Sequence, residues 1–182
     1  SLQHNQRIAF DIGPANMLLN YLIRDLDIPY DEDGQMARKG TIDDRLLSAL
    51  NADDYFKLAA PKSLGWEWFE AKAIPLLQKF SLPRATMLRT SVRHVAFQVA
   101  QAVLATDPPS GAKLLATGGG AKHSLLIEDL RLLLKDRVEV VVPPASLIDF
   151  KEALIFAFLG LLNHLGFTNC FASVTGAKKD SI

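Results

Sequence analysis

An aspartate followed by a glycine turn is the first feature of this sequence that could carry chemistry. Asp11 follows the short segment Arg7 to Phe10, which predicts a strand, and precedes Gly13 and Pro14. Ligands of α/β proteins bind beyond the carboxyl ends of strands, where a carboxylate can accept a proton from a hydroxyl group. Gly13 would let the backbone approach a phosphate, and the start of the helix predicted after Pro14 would favour an anion. The alternative is that Asp11 only caps the turn or the helix.

A run of three glycines is the second candidate. Gly118, Gly119, Gly120 and then Ala121 stand between a predicted strand and a predicted helix. Without Cβ atoms in the turn, a flat or phosphorylated ligand can lie against the main chain. The run is neither a P-loop nor the spaced glycine pattern of dinucleotide-binding domains. A sharp turn without any ligand is the alternative interpretation.

Glu152 is the third candidate, and it lies near the start of an apolar segment. Asp149 and Glu152 have the spacing of a capping box before a helix predicted from Asp149 to Leu165. One interpretation makes Glu152 a backbone-capping residue. The other places its carboxylate at a helix start that faces a cleft.

The remaining chemistry-bearing residues predict no further site. His94 lies on a mainly apolar segment, which is more typical of a buried, hydrogen-bonded histidine than of a ligand. The histidines are scattered and the only cysteine is Cys170, so we expect no metal site built from this chain's side chains. A single cysteine also suits a reducing compartment.

The composition of the whole chain is electrically neutral and moderately apolar. Among 182 residues, 20 Lys and Arg balance 20 Asp and Glu, which argues against a nucleic-acid partner. The start, Ser1 to Arg7, is polar and shows no apolar region of a signal peptide, and the longest apolar run, Ala153 to Leu162, is far shorter than the roughly 20 residues of a bilayer span. We therefore expect a cytoplasmic protein without a membrane partner, in which this run is a buried core helix.

Strands and helices alternate in the last third of the chain. Lys113 to Thr117 and Val138 to Val142 predict strands, and Lys122 to Leu134 predicts a helix between them. Upstream, Pro83 to Ala105 predicts the longest amphipathic helix. Apolar strands joined by helical crossovers indicate a parallel sheet. The expected fold class is therefore α/β with a large helical share.

Several segments together resemble one family, the anhydro-N-acetylmuramic acid kinases. Phe10 to Leu18 (Phe-Asp-Ile-Gly-Pro-Ala-Asn-Met-Leu) is similar to that family's Phe-Asp-x-Gly-Pro-Gly-Asn-x-Leu motif. Tyr30 to Gly34 (Tyr-Asp-Glu-Asp-Gly) matches its Tyr-Asp-x-Asp-Gly segment, and Ala60 to Gly65 (Ala-Pro-Lys-Ser-Leu-Gly) resembles its Pro-Lys-Ser-Thr-Gly segment.

Three later segments continue the resemblance in the same order. Thr117 to Ala121 (Thr-Gly-Gly-Gly-Ala) matches the family's Cys-Gly-Gly-Gly-Ala turn. Glu152 to Phe158 (Glu-Ala-Leu-Ile-Phe-Ala-Phe) is similar to its Glu-Ala-Leu-Ala-Phe-Ala-Trp helix, and Ser173 to Ala177 matches its closing Ser-Val-Thr-Gly-Ala. The series covers nearly the whole chain.

The resemblance implies a fold and a reaction. The family belongs to the actin-like ATPases, whose two lobes each contain a ribonuclease-H-like sheet and close on ATP and substrate. Its members open the anhydro ring of anhydro-N-acetylmuramic acid with water and phosphorylate the released hydroxyl, giving N-acetylmuramic acid 6-phosphate during cell-wall recycling. ATP is the implied cofactor, with Mg²⁺ to neutralise its charge, and the amino sugar and ATP are the implied small-molecule partners.

Residue roles follow from the same resemblance. Asp11 matches the family's catalytic aspartate, the general base for the attacking water. Glu152 matches a glutamate near the sugar and the water. The nucleotide-binding positions implied for this chain are Gly13, Gly118, Gly119, Gly120 and Ala121.

The chain also departs from the family pattern. Ala15 replaces a usual glycine, and His123 replaces a usual asparagine beyond the glycine turn, which questions the local cap or nucleotide contact. The family's first phosphate-binding loop, Met-Ser-Gly-Thr-Ser-x-Asp-Gly, does not occur in this sequence. We therefore interpret residues 1–182 as the C-terminal lobe of a two-lobed sugar kinase, with the first lobe absent and the sheet incomplete.

Three alternatives follow for what the chain does. It can be the C-terminal lobe of a kinase, inactive by itself, or a non-catalytic module of the same fold that binds a nucleotide or a partner. An unrelated dinucleotide-binding domain needs an acidic residue at the end of a second strand, and Glu139 lies inside the predicted strand instead. We also expect homo-oligomers, because an unpaired strand at Arg7 to Phe10 would offer an open edge.

Overall fold

The computed structural model describes residues 8–182, which divide into two compact units. The larger unit comprises Ile12–Lys57 and Leu64–Pro143. The smaller unit comprises Leu58–Ser63, Pro144–Ile182 and the described residues up to Asp11. Each unit is considered separately below.

Helices dominate both units. The larger unit contains α1 (Ala15–Tyr21), α2 (Asp44–Asn51), α3 (Trp66–Trp68), α4 (Ile74–Gln78), α5 (Arg84–Leu104) and α6 (Ser124–Leu134). Its short 3₁₀ turns are Glu32–Gly34, Ala37–Lys39, Asp54–Lys57 and Gly119–Lys122, and a π-helical stretch, Phe69–Ala73, joins α3 to α4. The smaller unit contains α7 (Ala145–His164) and α8 (Ala172–Thr175).

The larger unit is built around α5. This helix begins after Pro83, as the sequence predicts, and runs for 21 residues. It packs against α1, α2 and α6, and its inward side chains include Leu88 and Val92, both fully buried. Phe69, also fully buried, fills the other side of the same core. The apolar core of this unit is therefore built mainly from helices, with a smaller contribution from Val138 and Val140.

A parallel pair of strands is the sheet of the larger unit. Strand β1 (Ala112–Leu115) pairs with β2 (Val138–Val141), with Ala112 opposite Val138 and Leu115 opposite Val141. Helix α6 is the crossover that parallel strands require. The structure thus confirms an α/β, helix-rich class with a small parallel sheet, at boundaries within two residues of those predicted.

Two predictions about chain ends and helix starts are wrong. Ile8 to Phe10 lies outside any strand, whereas Arg7 lies outside the described residues. Helix α7 begins at Ala145, directly after Pro144, instead of at Asp149. Proline is well tolerated before the first helical turn because its missing N–H would have no partner there, so Pro144 marks the start that the capping-box spacing placed one turn too late.

The prediction of a buried helix at Ala153 to Leu162 is also wrong in this structure. Helix α7 has no buried residue, and Phe150, Leu154 and Phe156 are 68%, 60% and 72% exposed. Apolar side chains lie all around the helix, a pattern typical of a helix enclosed on every side. No helix among the described residues has the length and apolarity needed to cross a membrane.

The exposed apolar side chains of α7 predict self-association of the isolated chain. Contiguous apolar surface of this kind is rare on soluble monomers, because its exposure to water is unfavourable. Sedimentation velocity over a concentration series should show dimers or larger species, and Phe156→Glu should shift the distribution towards monomer. A strictly monomeric profile of the unmodified chain at high concentration would contradict this expectation. The expected cause of self-association is therefore the exposed apolar surface of α7, and not the open strand edge that the sequence predicted.

His94 is a buried, hydrogen-bonded histidine, as predicted. Its side chain lies in the core of the larger unit, with Nδ1 2.7 Å from Oδ1 of Asn51. The same amide oxygen accepts a hydrogen bond from Nε2 of Gln98 at 2.9 Å. Burial lowers the pKa of His94 from 6.5 to about 4, because the charged imidazolium is poorly solvated there.

This shift predicts a pH-dependent stability. Above pH 6.5 the His94 imidazole is neutral in both the folded and the unfolded chain. As the pH falls from 6.5 towards 4, the imidazole gains a proton in the unfolded chain only. The free energy of unfolding should therefore fall by about 3 kcal/mol across this window. Urea titrations at several pH values measure it, with His94→Gln as the comparison. Equal pH slopes in both proteins would show that His94 contributes nothing to the dependence.

A buried ion cluster joins α5 to α6. The carboxylate of Asp129 on α6 is only 5% exposed and accepts hydrogen bonds from both terminal nitrogens of Arg89, at 2.6 and 3.0 Å. Arg93, one turn later on α5, approaches the same carboxylate at 3.0 Å. One carboxylate thus pairs with two largely buried guanidinium groups, which makes Asp129 the group on which the cluster depends.

Candidate functional site

The glycine turn after β1 requires glycine for two different physical reasons. Gly118 has φ +75° and ψ −171°, a conformation that residues with a Cβ rarely adopt. Gly119 and Gly120 begin a 3₁₀ turn without unusual φ values. At Gly119 the reason is limited space, whereas a Cβ at Gly120 would make only ordinary van der Waals contacts. The turn ends in α6, whose first residue is Ser124.

The space at this turn is set by Asn16. A Cβ added to Gly119 would lie 3.1 Å from Nδ2 of Asn16, and one added to Gly120 would lie 3.9 Å from its Oδ1. Asn16 lies in the first turn of α1, immediately after the segment that carries Gly13 and Pro14. Two glycine segments that are about a hundred positions apart in the sequence therefore meet in the larger unit.

The Tyr30 to Gly34 segment lies beside the end of the glycine turn. The buried carboxylate of Asp31 accepts hydrogen bonds from the backbone N–H groups of Met36 (2.8 Å) and Ala37 (2.9 Å). Gly34 has φ +68°, and a Cβ there would lie 2.6 Å from Cε1 of His123. The Asp31 carboxylate therefore has a structural role within its own segment, and the close approach of Gly34 to His123 places that segment beside the start of α6.

His123 keeps the helix cap that its substitution for asparagine put in question. Its Nδ1 accepts a hydrogen bond from the backbone N–H of Leu126 at 3.2 Å, the contact an asparagine cap would make. An accepting Nδ1 must be unprotonated. Burial lowers the pKa of His123 and so favours that neutral form.

Ala121 and Gly13, both predicted to contact the nucleotide, have structural reasons of their own for their small side chains. The Ala121 side chain is buried, and its N–H donates to the carbonyl of Gly118 at 3.1 Å. A Cβ at Gly13 would lie 3.3 Å from the ring of Phe56, so the absence of a side chain there admits an aromatic ring. Nucleotide contact at either residue remains a prediction.

Asp11 lies in the smaller unit, together with Ala60 to Ser63 of the family-like Ala60 to Gly65 segment. Its N–H donates to the carbonyl of Lys62 at 3.0 Å, and Oδ2 accepts a hydrogen bond from Oγ of Ser63 at 3.1 Å. The Asp11 side chain is exposed. Two family-like segments thus meet at this carboxylate.

Glu152 is an exposed residue in the interior of α7. Because the helix starts at Ala145, the carboxylate lies about two turns beyond the start, and the capping interpretation is wrong. That Glu152 lies near the sugar stays a prediction.

Asn16 and Ser63 are the two side chains that sequence reasoning did not select. Each stands inside a family-like segment, so the signal was present, but both are common surface residue types. Their significance comes from contacts over long sequence separations, Asn16 with Gly119 and Ser63 with Asp11.

A metal ion would find few ligands here. Among residues 8–182, no three His, Cys, Asp or Glu side chains are grouped closely enough to hold one. Mg²⁺ that arrives on the phosphates of a nucleotide keeps several water ligands and usually takes only one or two carboxylates from a protein.

Comparison with known proteins gives a consistent result. A family model described as anhydro-N-acetylmuramic acid kinase matches residues 2–182. A protein of that name from Shewanella sp. strain ANA-3 is 34% identical over 180 residues, which cover 96% of this chain and 48% of the relative. One from Vibrio cholerae is 33% identical, covering 94% and 47%. One from Gloeobacter violaceus is 36% identical, covering 94% and 46%. The chain spans about half the length of the curated relatives it matches.

Proposed function

Because the chain belongs to the anhydro-N-acetylmuramic acid kinase family, we propose that it supplies one half of an ATP-dependent enzyme acting on 1,6-anhydro-N-acetylmuramic acid. Residues 1–182 form the C-terminal lobe in this proposal, with a ribonuclease-H-like sheet that the rest of the protein completes. The observation that carries it is the match of the family model to residues 2–182. The cytoplasm is the proposed location, and cell-wall recycling the proposed pathway.

Asp11 is the proposed general base. Its carboxylate accepts a proton from water as the water oxygen bonds to the anomeric carbon of the sugar. The bond from that carbon to the bridging oxygen breaks, and the freed oxygen attacks the γ-phosphorus of ATP, with ADP as leaving group. The hydrogen bond from Ser63 supports this role, because it orients the carboxylate.

The glycine turn is the proposed nucleotide contact. Gly118, Gly119 and Gly120 present main chain without side chains, and Gly119 is exposed. A nucleotide can therefore lie directly against the backbone. Mg²⁺ bound to the phosphates would neutralise part of their charge during transfer. Glu152 is proposed to act on the sugar side, with Asp11.

A polypeptide of residues 1–182 alone should show no kinase activity on the anhydro sugar. Positioning ATP and sugar together requires a cleft that closes around both, and this chain is proposed to contribute only one side. An assay that couples ADP release to NADH oxidation should detect activity in the full-length reading frame that contains this chain, and none in residues 1–182. Turnover by residues 1–182 would refute the half-enzyme proposal.

A non-catalytic module is the second candidate function. The exposed glycine turn supports this candidate, because nucleotide binding there requires no catalytic residue. Nucleotide binding by a full-length protein that transfers no phosphate to the anhydro sugar would decide for this candidate.

A further inference from the structure

The side-chain amide of Asn16 is directed at the glycine turn but is not used by the protein. Nδ2 lies 3.1 Å from the position of a Cβ at Gly119, closer than ordinary carbon–nitrogen contact. The residue is exposed, and its side chain makes no hydrogen bond within residues 8–182. A polar group held at a turn of bare main chain can serve a ligand on that turn without first breaking a bond.

The sequence position of Asn16 strengthens this interpretation. It stands five residues after Asp11, at the start of the helix that follows the aspartate turn. Helix α1 packs on the core through Leu18 and Leu19, both buried, which fixes the backbone that carries Asn16. The amide is therefore pre-positioned on a packed element and would lose little conformational freedom on binding.

We propose that Asn16 is a nucleotide-binding residue, whose Nδ2 donates a hydrogen bond to an oxygen of the ATP that lies on Gly119 and Gly120. Nδ2 is the amide atom nearer to Gly119, and oxygens carry the acceptor sites of the ribose and the phosphates. This inference depends on the proposed function, because it takes ATP as the ligand of the glycine turn.

Steady-state kinetics of the full-length protein test it. Asn16→Ala should raise KM for ATP about tenfold, the effect of losing one hydrogen bond to a charged group. Asn16→Asp should raise it further, because a carboxylate cannot donate and repels phosphate. KM for the anhydro sugar and the thermal midpoint should stay unchanged in both variants. Asn20→Ala, on the same helix and also exposed, is the matched control and should behave as wild type.

A double-mutant cycle tests the juxtaposition itself. Gly119→Ala places a methyl group against the Asn16 amide, so it should raise KM for ATP in the wild type and much less in the Asn16→Ala background. An unchanged KM for ATP in Asn16→Ala, or a raised KM for the sugar alone, would overturn the Asn16 assignment while leaving the kinase proposal intact. Failure of the wild type to transfer phosphate to the sugar would overturn both.

Discussion

Replacing Asp11 by asparagine in the full-length protein should lower kcat by about a thousandfold, the typical contribution of general base catalysis. Asparagine has nearly the same shape and can still accept the Ser63 hydrogen bond, but it cannot take a proton from water. Because the Asp11 side chain is exposed, the thermal midpoint should hardly change. The coupled ADP assay with the anhydro sugar measures the loss.

Ser63→Ala is the matched control for that experiment. It removes the 3.1 Å hydrogen bond to Oδ2 and leaves the carboxylate in place. We expect a fall in kcat of about tenfold, since only the orientation of the base is loosened. Asp11→Asn activity within a few-fold of the wild type would show that another group accepts the proton.

The second large effect is on stability. Asp129→Ala should lower the free energy of unfolding by about 3–5 kcal/mol, because it strands two guanidinium groups that are only 14% and 17% exposed. The contact between α5 and α6 depends on this carboxylate. Urea denaturation followed by circular dichroism measures the change.

Asp25→Ala is the control for the buried cluster. Asp25 also pairs with an arginine, Arg84, but its side chain is 60% exposed. Solvent and salt screen such a pair, so its removal should leave the unfolding midpoint almost unchanged. Equal losses in the two variants would mean that burial does not govern the strength of these ion pairs.

Local patterns predicted most of the helices and both described strands correctly. Helix α5 illustrates why: its apolar periodicity predicted a helix from Pro83 to Ala105, and each end lies within one residue of the observed Arg84–Leu104. Strand β2 was recognisable from its valines before a proline pair, and β1 from a short, mainly apolar segment before the glycine turn. In these cases the local chemistry alone determines the structure.

The environment of α7 could not be predicted in the same way. Its composition correctly indicates a helix suited to burial, yet burial depends on what covers it, and the helix is exposed here. The start of α7 was missed for a simpler reason. Asp149 and Glu152 have capping-box spacing, but Pro144 begins the helix earlier.

The candidate site was only partly readable from the sequence. The types and order of the residues around Asp11 and Gly118 to Gly120 indicated where chemistry could lie. The pairings of Asn16 with Gly119 and of Ser63 with Asp11 connect residues that are 103 and 52 positions apart. No local pattern encodes such contacts, because the packing of the whole unit creates them.

The mass of the product made from 1,6-anhydro-N-acetylmuramic acid and ATP tests the proposed chemistry most directly. Water opens the ring and ATP phosphorylates the freed oxygen, so the full-length protein should give a product heavier than the substrate by one water and one phosphoryl group, with ADP formed in equal amount. A phosphorylated product that retains the anhydro ring, or ADP formed without any sugar phosphate, would contradict the proposal.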